Sequence, residues 1–315
     1  MANFYGSYIG YGSGGGGVAV PNYFGAEYQF CHGGQQAGPT GYNTIDRLSY
    51  TSEATASDWH DLAVQMFYCT GNSSGTHGFS AGGHAQQTTV NKYQQLAQVL
   101  GVDHGDLGTS AHSGPSASAM LEQYGYVQGG TGTTMKLKQK WAFLSNTTSS
   151  DAGDLSVVRN HGGGASSPTH GYCHGGYNPY GSGDYFTIDR FPFASDGTSV
   201  DIGDLTVSRA TMQGSSSATH GFKAGGYGIG ESYTNVIDKY LFAAGPGNDA
   251  VDWGNLTATI QGNTGSSATS YGYACGGQPP ATVSTSARWS HDSDAGASIW
   301  GALSQARVYP NCSQY

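Results

Sequence analysis

The sequence predicts an all-β chain of short strands and tight turns, built from six copies of one unit. Three observations carry this. First, a glycine doublet preceded by an aromatic residue recurs six times, in YQFCHGG (28–34), HGFSAGG (77–83), YGYVQGG (124–130), HGYCHGG (170–176), HGFKAGG (220–226) and YGYACGG (271–277). The doublets are spaced by 49, 47, 46, 50 and 51 residues, the length of a four-stranded propeller blade. Second, a motif keeps step with them, reading HDL (60–62), GDL (105–107), GDL (153–155), GDL (203–205), GNL (254–256) and GAL (301–303). Third, a column of basic residues precedes it, in IDRL (45–48), VNKY (90–93), KQKW (138–141), IDRF (188–191), IDKY (237–240) and SARW (286–289).

The register implies a closed ring. In five repeats the doublet follows the first residue of the GDL motif by 22 to 24 positions. From Gly301 the same count runs eight residues past Tyr315, and eight residues before Gly33 is Gly25. One blade is therefore divided between the chain ends, which removes the free edges of an open array. The expectation is a six-bladed β-propeller over residues 26–315, closed by pairing of C-terminal with N-terminal strands. Its shared blade would take an inner strand from about 304–309 and the rest from about 27–62.

Within the unit, a doublet at a strand end supplies positive φ and close backbone approach. The Ser-rich pieces GNSSGT (71–76) and GSSSAT (214–219) read as hairpin loops. The basic column contributes Arg47, Lys92, Lys140, Arg190, Lys239 and Arg288, and a second column contributes Arg159, Arg209 and Arg307. Nine of the twelve basic residues thus belong to the repeat, which makes them structural, with Asp61, Asp106, Asp154 and Asp204 as expected partners. Residues 1–25 stand outside the six blades as a Gly/Tyr-rich arm and linker, in which Phe4, Tyr5, Tyr8, Ile9 and Tyr11 cluster ahead of Gly14–Gly17. Glycines give reach and aromatics give contact area, so the arm is expected to anchor the propeller in a multi-subunit assembly.

Composition narrows the function. A net charge of −9 argues against a nucleic-acid partner. No apolar run is long enough to span a bilayer as a helix. MANFYGSYIGYG has neither the basic nor the apolar region of a signal peptide, so synthesis in a cytoplasm is expected. The five cysteines do not form a metal-type or disulfide pattern and read as small buried thiols, Cys31 and Cys173 sharing one repeat position. His77, His170 and His220 alternate with Tyr28, Tyr124 and Tyr271 in a packing column, and His32 and His174 share another register. The carboxylate pairs Asp58/Asp61, Asp103/Asp106, Asp151/Asp154 and Asp201/Asp204 repeat at a fixed spacing of three, as turn caps would. GYGSGGGG (10–17) lacks the ending of a phosphate loop. No catalytic, cofactor or metal residue is assigned, and a non-enzymatic protein is expected.

The succession IDRFPFASDGTSVDIGDLTVSR with THGFKAGG (188–226) resembles a kelch repeat. Its wording is also similar to that of repeat-rich structural and tail-associated virion proteins of marine tailed phages, especially phages of cyanobacteria. That resemblance implies a virion protein, tail-, fibre- or capsid-associated, made in the host cytoplasm. Its partners would be other virion proteins through the N-terminal arm, with host-surface glycans as a further class. The alternative reading is a carbohydrate-binding propeller, a lectin or adhesin, since Tyr-rich surfaces with many Ser, Thr and Asn groups suit sugars.

Overall fold

The structure, a computed structural model, describes residues 27–36, 40–84, 87–110, 120–121, 123–130, 135–178, 180–181, 183–184, 186–211, 214–228, 232–278 and 281–314. Six small sheets, antiparallel except where Ala54–Thr55 adds in parallel to the outer strand of blade 6, stand around one axis and form a six-bladed β-propeller. Blade 1 runs outward through Asn311–Gln314, Tyr28–His32, Tyr42–Ser49 and Ser57–Met66. Blade 2 is Thr70–Ser73, His77–Ala81, Thr89–Gln94 and Val102–Asp106, and blade 3 is Met120–Leu121, Tyr124–Gln128, Leu137–Ala142 and Ser150–Asp154. Blade 4 is Gly163–Ser166, His170–His174, Thr187–Pro192 and Val200–Asp204. Blade 5 is Gly214–Ser216, His220–Gly228, Ser232–Leu241 and Val251–Asn255, and blade 6 is Thr264–Ser267, Tyr271–Cys275, Thr285–Ser290 and Ser298–Ala302.

Each second strand lies between two neighbouring blades and is buried on both faces. Its aromatic, two residues into the strand, is Phe30, Phe79, Tyr126, Tyr172, Phe222 or Tyr273, and all six are buried. These rings meet aromatics on the third strand of the next blade, with centroids 6.0 Å apart for Phe30–Tyr93, 5.3 Å for Tyr126–Phe191 and 5.8 Å for Tyr172–Tyr240. The core is thus a set of blade-to-blade wedges rather than one central mass. The doublet ends the second strand in five blades and shifts its register in blade 5, because no other residue fits there. Gly33 has φ +64°, and a Cβ on it would lie 2.4 Å from the Met66 carbonyl oxygen.

The shared blade exists, but its inner strand is Asn311–Gln314 and not 304–309. Residues 304–310 instead belong to the strap that crosses from the outer strand of blade 6. The Ser-rich pieces are hairpin turns only in their second halves: Thr70–Ser73 and Gly214–Ser216 are inner strands, and the turns begin after them. The reason is crowding on the axis. A Cβ on Gly71 would fall 2.1 Å from the Cys312 carbonyl oxygen, and on Gly214 or Gly265 only 2.3 Å from the carbonyl oxygen of Gly164 or Gly214. Only Gly and other small residues allow inner strands to approach so closely. Their Ser side chains then tie neighbours together. The Ser166 amide donates to Ser216 Oγ (3.0 Å), Ser216 to Ser267 Oγ (2.8 Å), Ser267 to Gln314 Oε1 (2.8 Å) and Gln314 to Ser73 Oγ (2.8 Å).

A further correction concerns the cysteines. Cys31 and Cys312 face each other across the terminal strands of blade 1 and form a disulfide, with Cα atoms 4.4 Å apart. Cys69, Cys173 and Cys275 are the free, buried thiols. Burial pushes the Cys275 thiol up to about 12 although it sits beside that disulfide, so it stays protonated at neutral pH.

Ring closure generates a direct expectation. Deleting residues 311–315 strips blade 1 of its inner strand and of the disulfide, leaving Tyr28–His32 as an open edge. Thermal unfolding followed by circular dichroism should lose its single cooperative transition, with aggregation at lower temperature. A truncated chain that melts like the full-length one contradicts the strand-sharing model.

Candidate binding face at the axial mouth

The topology sorts the loops onto two faces. In every blade the second strand ends, and the outer strand ends, on the same side, so the glycine doublets and the six interblade straps share one face. The straps carry GDL-motif neighbours of each blade to the inner strand of the next. Their only charged residues are Arg159, Arg209 and Arg307.

Those three arginines are fully buried, and each reaches into the following blade. Arg159 pairs with Asp189 (3.2 Å), Arg209 with Asp238 (2.8 Å) and Arg307 with Asp46 (3.0 Å), with every side chain at 0% exposure. Backbone carbonyls take further guanidinium donors: Gly175 and Thr187 for Arg159, Val236 and Lys223 for Arg209, Gly33 and Thr44 for Arg307. The strap also donates to the same carboxylate, from the amides of Ser156 (3.1 Å), Thr206 (3.2 Å) and Ser304 (2.8 Å). The partners are thus the aspartates of the IDR and IDK segments, not Asp61, Asp106, Asp154 or Asp204. Asp106, Asp154 and Asp204 are the exposed last residues of their outer strands, and Asp61 stands half-buried within Ser57–Met66. In three of the four carboxylate pairs the first member caps a turn: Asp103, Asp151 and Asp201 accept from the amides of Gly105, Gly153 and Gly203 at 2.9, 2.6 and 3.1 Å.

The strap position and its partner change together along the chain. Where the strap residue is Met66, the partner is Asn91, whose Nδ2 lies 2.8 Å from the Met sulfur. Where it is Ile260, the partner is Ala287, and both pack in one apolar cluster. Arg–Asp, Met–Asn and Ile–Ala therefore fill the same place.

The other basic column sits on the blade faces, half-exposed, and its cations lie over aromatic rings. Arg47 is 3.8 Å from the Trp59 centroid, Lys239 is 3.3 Å from Trp253 and Arg288 is 3.5 Å from Trp300. Lys92 lies over Phe79 at 5.9 Å. Three members reach the neighbouring blade: Lys140 pairs with Asp196 (2.7 Å), Arg190 donates to the Ala244 carbonyl (2.8 Å) and Lys239 to the His291 carbonyl (3.2 Å). His77, His170 and His220 accept or donate to the preceding Thr hydroxyl at 2.7 to 2.8 Å. The arm residues Phe4, Tyr5, Tyr8, Ile9 and Tyr11 lie outside the described residues.

Inside the ring, the inner strands enclose a cavity of about 60 Å³ lined by Gly, Ser, Ala, Asn and Gln residues and Cys312. At roughly 10–15 Å³ per water it has room for a few waters and none for a sugar ring. The strap-side mouth above it is different. Eight residues after the first residue of the GDL motif, the strap turns left-handed: Tyr68 (φ 58°), His161 (53°), Thr211 (67°), Gly262 (62°) and Tyr309 (55°). Backbone bonds join these turns in sequence, from the amide of Tyr309 to Gly262 (2.7 Å), Gly262 to Thr211 (2.6 Å) and Thr211 to His161 (2.8 Å). A left-handed conformation costs a non-glycine residue about 1–2 kcal/mol. The resulting side chains converge on the axis. The rings of Tyr68 and Tyr309 are 4.0 Å apart, and Tyr68 and His161 are 5.4 Å apart. Phe67 stacks on His84 beside them at 4.4 Å. Tyr177, Tyr180 and Phe186, which follow the blade 4 doublet, and Tyr233, at the start of the third strand of blade 5, are exposed on this face. Burial raises the Tyr68 and Tyr309 hydroxyls above the usual tyrosine range, so both remain neutral donors.

Sequence reasoning missed this column, although its fixed offset from the GDL motif is visible once the straps are distinguished from strands. No protein-family model matches the chain, and no curated protein matches it.

Two expectations follow from the straps. Arg209→Met leaves Asp238 buried without its cation and should destabilise by about 3–5 kcal/mol. Adding Asp238→Asn recreates the Met66–Asn91 pairing and should recover at least about 2 kcal/mol of that loss, read as non-additivity in urea unfolding. Additive losses would show that the two side chains act independently. The second expectation concerns Lys223, buried next to the Arg209 pair with its Nζ 3.3 Å from the His174 carbonyl. Desolvation, then the Arg209 charge, pushes its ammonium down to about 7. Below that pH it is charged in both states and contributes no slope. Between about 7 and the ordinary lysine value of 10.5 the unfolded chain holds a proton the native state lacks, so stability rises with pH. Relative to Lys223→Met, the wild type should gain up to about 1.4 kcal/mol per pH unit between pH 7.5 and 9.5. Parallel stability curves for the two proteins would refute the assignment.

Proposed function

We propose that the chain is a non-enzymatic virion propeller of a tailed phage, a tail-, fibre- or capsid-associated module that assembles through its N-terminal arm and turns its strap face to the host surface. The repeat wording supports the viral reading. The observation that carries the recognition role is the ring of left-handed strap residues. Four of its five described members hold Tyr, His or Thr where Gly262 demonstrates that glycine fits. Side chains kept against backbone strain, and gathered at an exposed mouth, belong to a surface that contacts something.

The same aromatic mouth favours a second reading, a propeller lectin or adhesin unconnected with a virus. Mass spectrometry of purified particles separates the two, since only the virion protein is present there in stoichiometric amount. The arm supplies the matching expectation. Deleting residues 1–17 should leave the melting temperature of the propeller nearly unchanged and abolish its incorporation into particles. Normal incorporation of the deleted chain would place the assembly contact on the blades or their loops.

A further inference from the structure

We infer that the strap-side mouth is a carbohydrate site and that its ligand is a neutral glycan; this rests on the reading of that face as the one presented to the host. The cavity between the inner strands is too small for such a ligand, and it is at the mouth that aromatic rings gather. Tyr68, His161 and Tyr309 are half-buried there, so each ring is fixed by packing yet keeps part of its surface in solvent. Tyr233, 38% exposed, lies close enough to act electrostatically on the Tyr309 hydroxyl. Aromatic rings held in this way offer flat apolar faces with polar rims, the surface on which the C–H face of a pyranose stacks while its hydroxyls find hydrogen bonds.

Charge selects among sugars. The chain carries −9, yet the straps contain no acidic residue, and their three cations are all buried in ion pairs. The straps therefore offer no exposed cation to hold a sulfate, phosphate, sialic or uronic acid group, and the exposed Lys136 of this face belongs to blade 3 and not to the ring of left-handed strap residues. Hydroxyl groups remain, from Thr211 and the tyrosines, and these suit neutral hydroxyls. The single Thr211 hydroxyl proton lies within reach of the Ala210 carbonyl (2.7 Å) and of Gln261 Oε1 (3.1 Å), which holds the Thr211 side chain in place.

The test is calorimetric titration of the full chain with maltohexaose, cellohexaose and chitohexaose, and with hexagalacturonate and a heparin hexasaccharide as acidic counterparts. At least one neutral hexasaccharide should bind, and neither acidic one should bind more tightly. Tyr68→Gly and Tyr309→Gly remove the rings in a backbone conformation that glycine prefers, and each should weaken binding at least about tenfold. Tyr309→Trp should retain it. Should a glycine variant lower the melting temperature, Tyr233→Ala, outside the hydrogen-bonded turn, gives the same information. The inference is overturned if no neutral saccharide binds, if an acidic one binds better, or if all these variants bind like the wild type. Adsorption of particles carrying Tyr68→Gly and Tyr309→Gly to host cells tests the underlying reading separately. Lost adsorption without saccharide binding removes the glycan and keeps the host-facing role. Normal adsorption with intact saccharide binding by the wild type does the reverse.

Discussion

The close approach of backbones on the propeller axis is the constraint from which the rest follows. Inner strands of adjacent blades touch where Gly71, Gly214 and Gly265 leave no space for a Cβ. Six blades can meet only if this innermost layer is made of Gly, Ser and similar residues, and such a layer has little apolar area to hold it together. Hydrogen bonds from amide to the next strand's Ser or Gln replace that missing hydrophobic contribution, at about 1 kcal/mol each. The aromatic wedges farther out supply the bulk of the burial. The division of labour is radial: directional bonds at the hub, rings between the blades and cation–aromatic stacks toward the outer faces.

This radial order also explains what the sequence disclosed. The aromatic and doublet positions of the second strand, the basic residue of the third and the GDL end of the outer strand all repeat, so blade number and closure were legible. The inner strand was not. Hydrophobic periodicity is the usual signature of a strand, and GNSS or GSSS has none, because those residues are buried by backbone crowding and not by apolarity. The segment SQARVY offered a more strand-like pattern and was mistaken for it. The Cys31–Cys312 pairing was hidden for a related reason: its two halves align only when the inner strand is placed correctly. The mouth residues escaped because Tyr, His, Thr and Gly look unrelated until their shared left-handed backbone is seen.

The straps show how an interior charge can be a replaceable part. Three blades use a buried Arg–Asp pair and others use Met–Asn or Ile–Ala at the same place. A buried ion pair contributes little net stability over a well-packed apolar pair, but an unmatched member costs several kcal/mol. The two positions are therefore free to change only together. One effect is that no strap cation is exposed, since each guanidinium is turned inward against its carboxylate. Burial of these cations and the lack of strap charge around the mouth are thus two aspects of one arrangement.

The disulfide of blade 1 has a mechanical consequence. It joins the second residue layer from the axis to the innermost one, tying Cys31, near the start of the propeller, to Cys312, near its end, across 281 residues of sequence. A pull applied between the N-terminal arm and the C-terminus enters at residue 27 and reaches the crosslink within a few residues. Tension then passes through two short strand segments and a covalent bond. The five other blades lie outside the loaded path, where the load cannot peel them open one after another. A propeller hung by its ends is held at a single clasp, and its binding face stays at rest while the tether bears the strain.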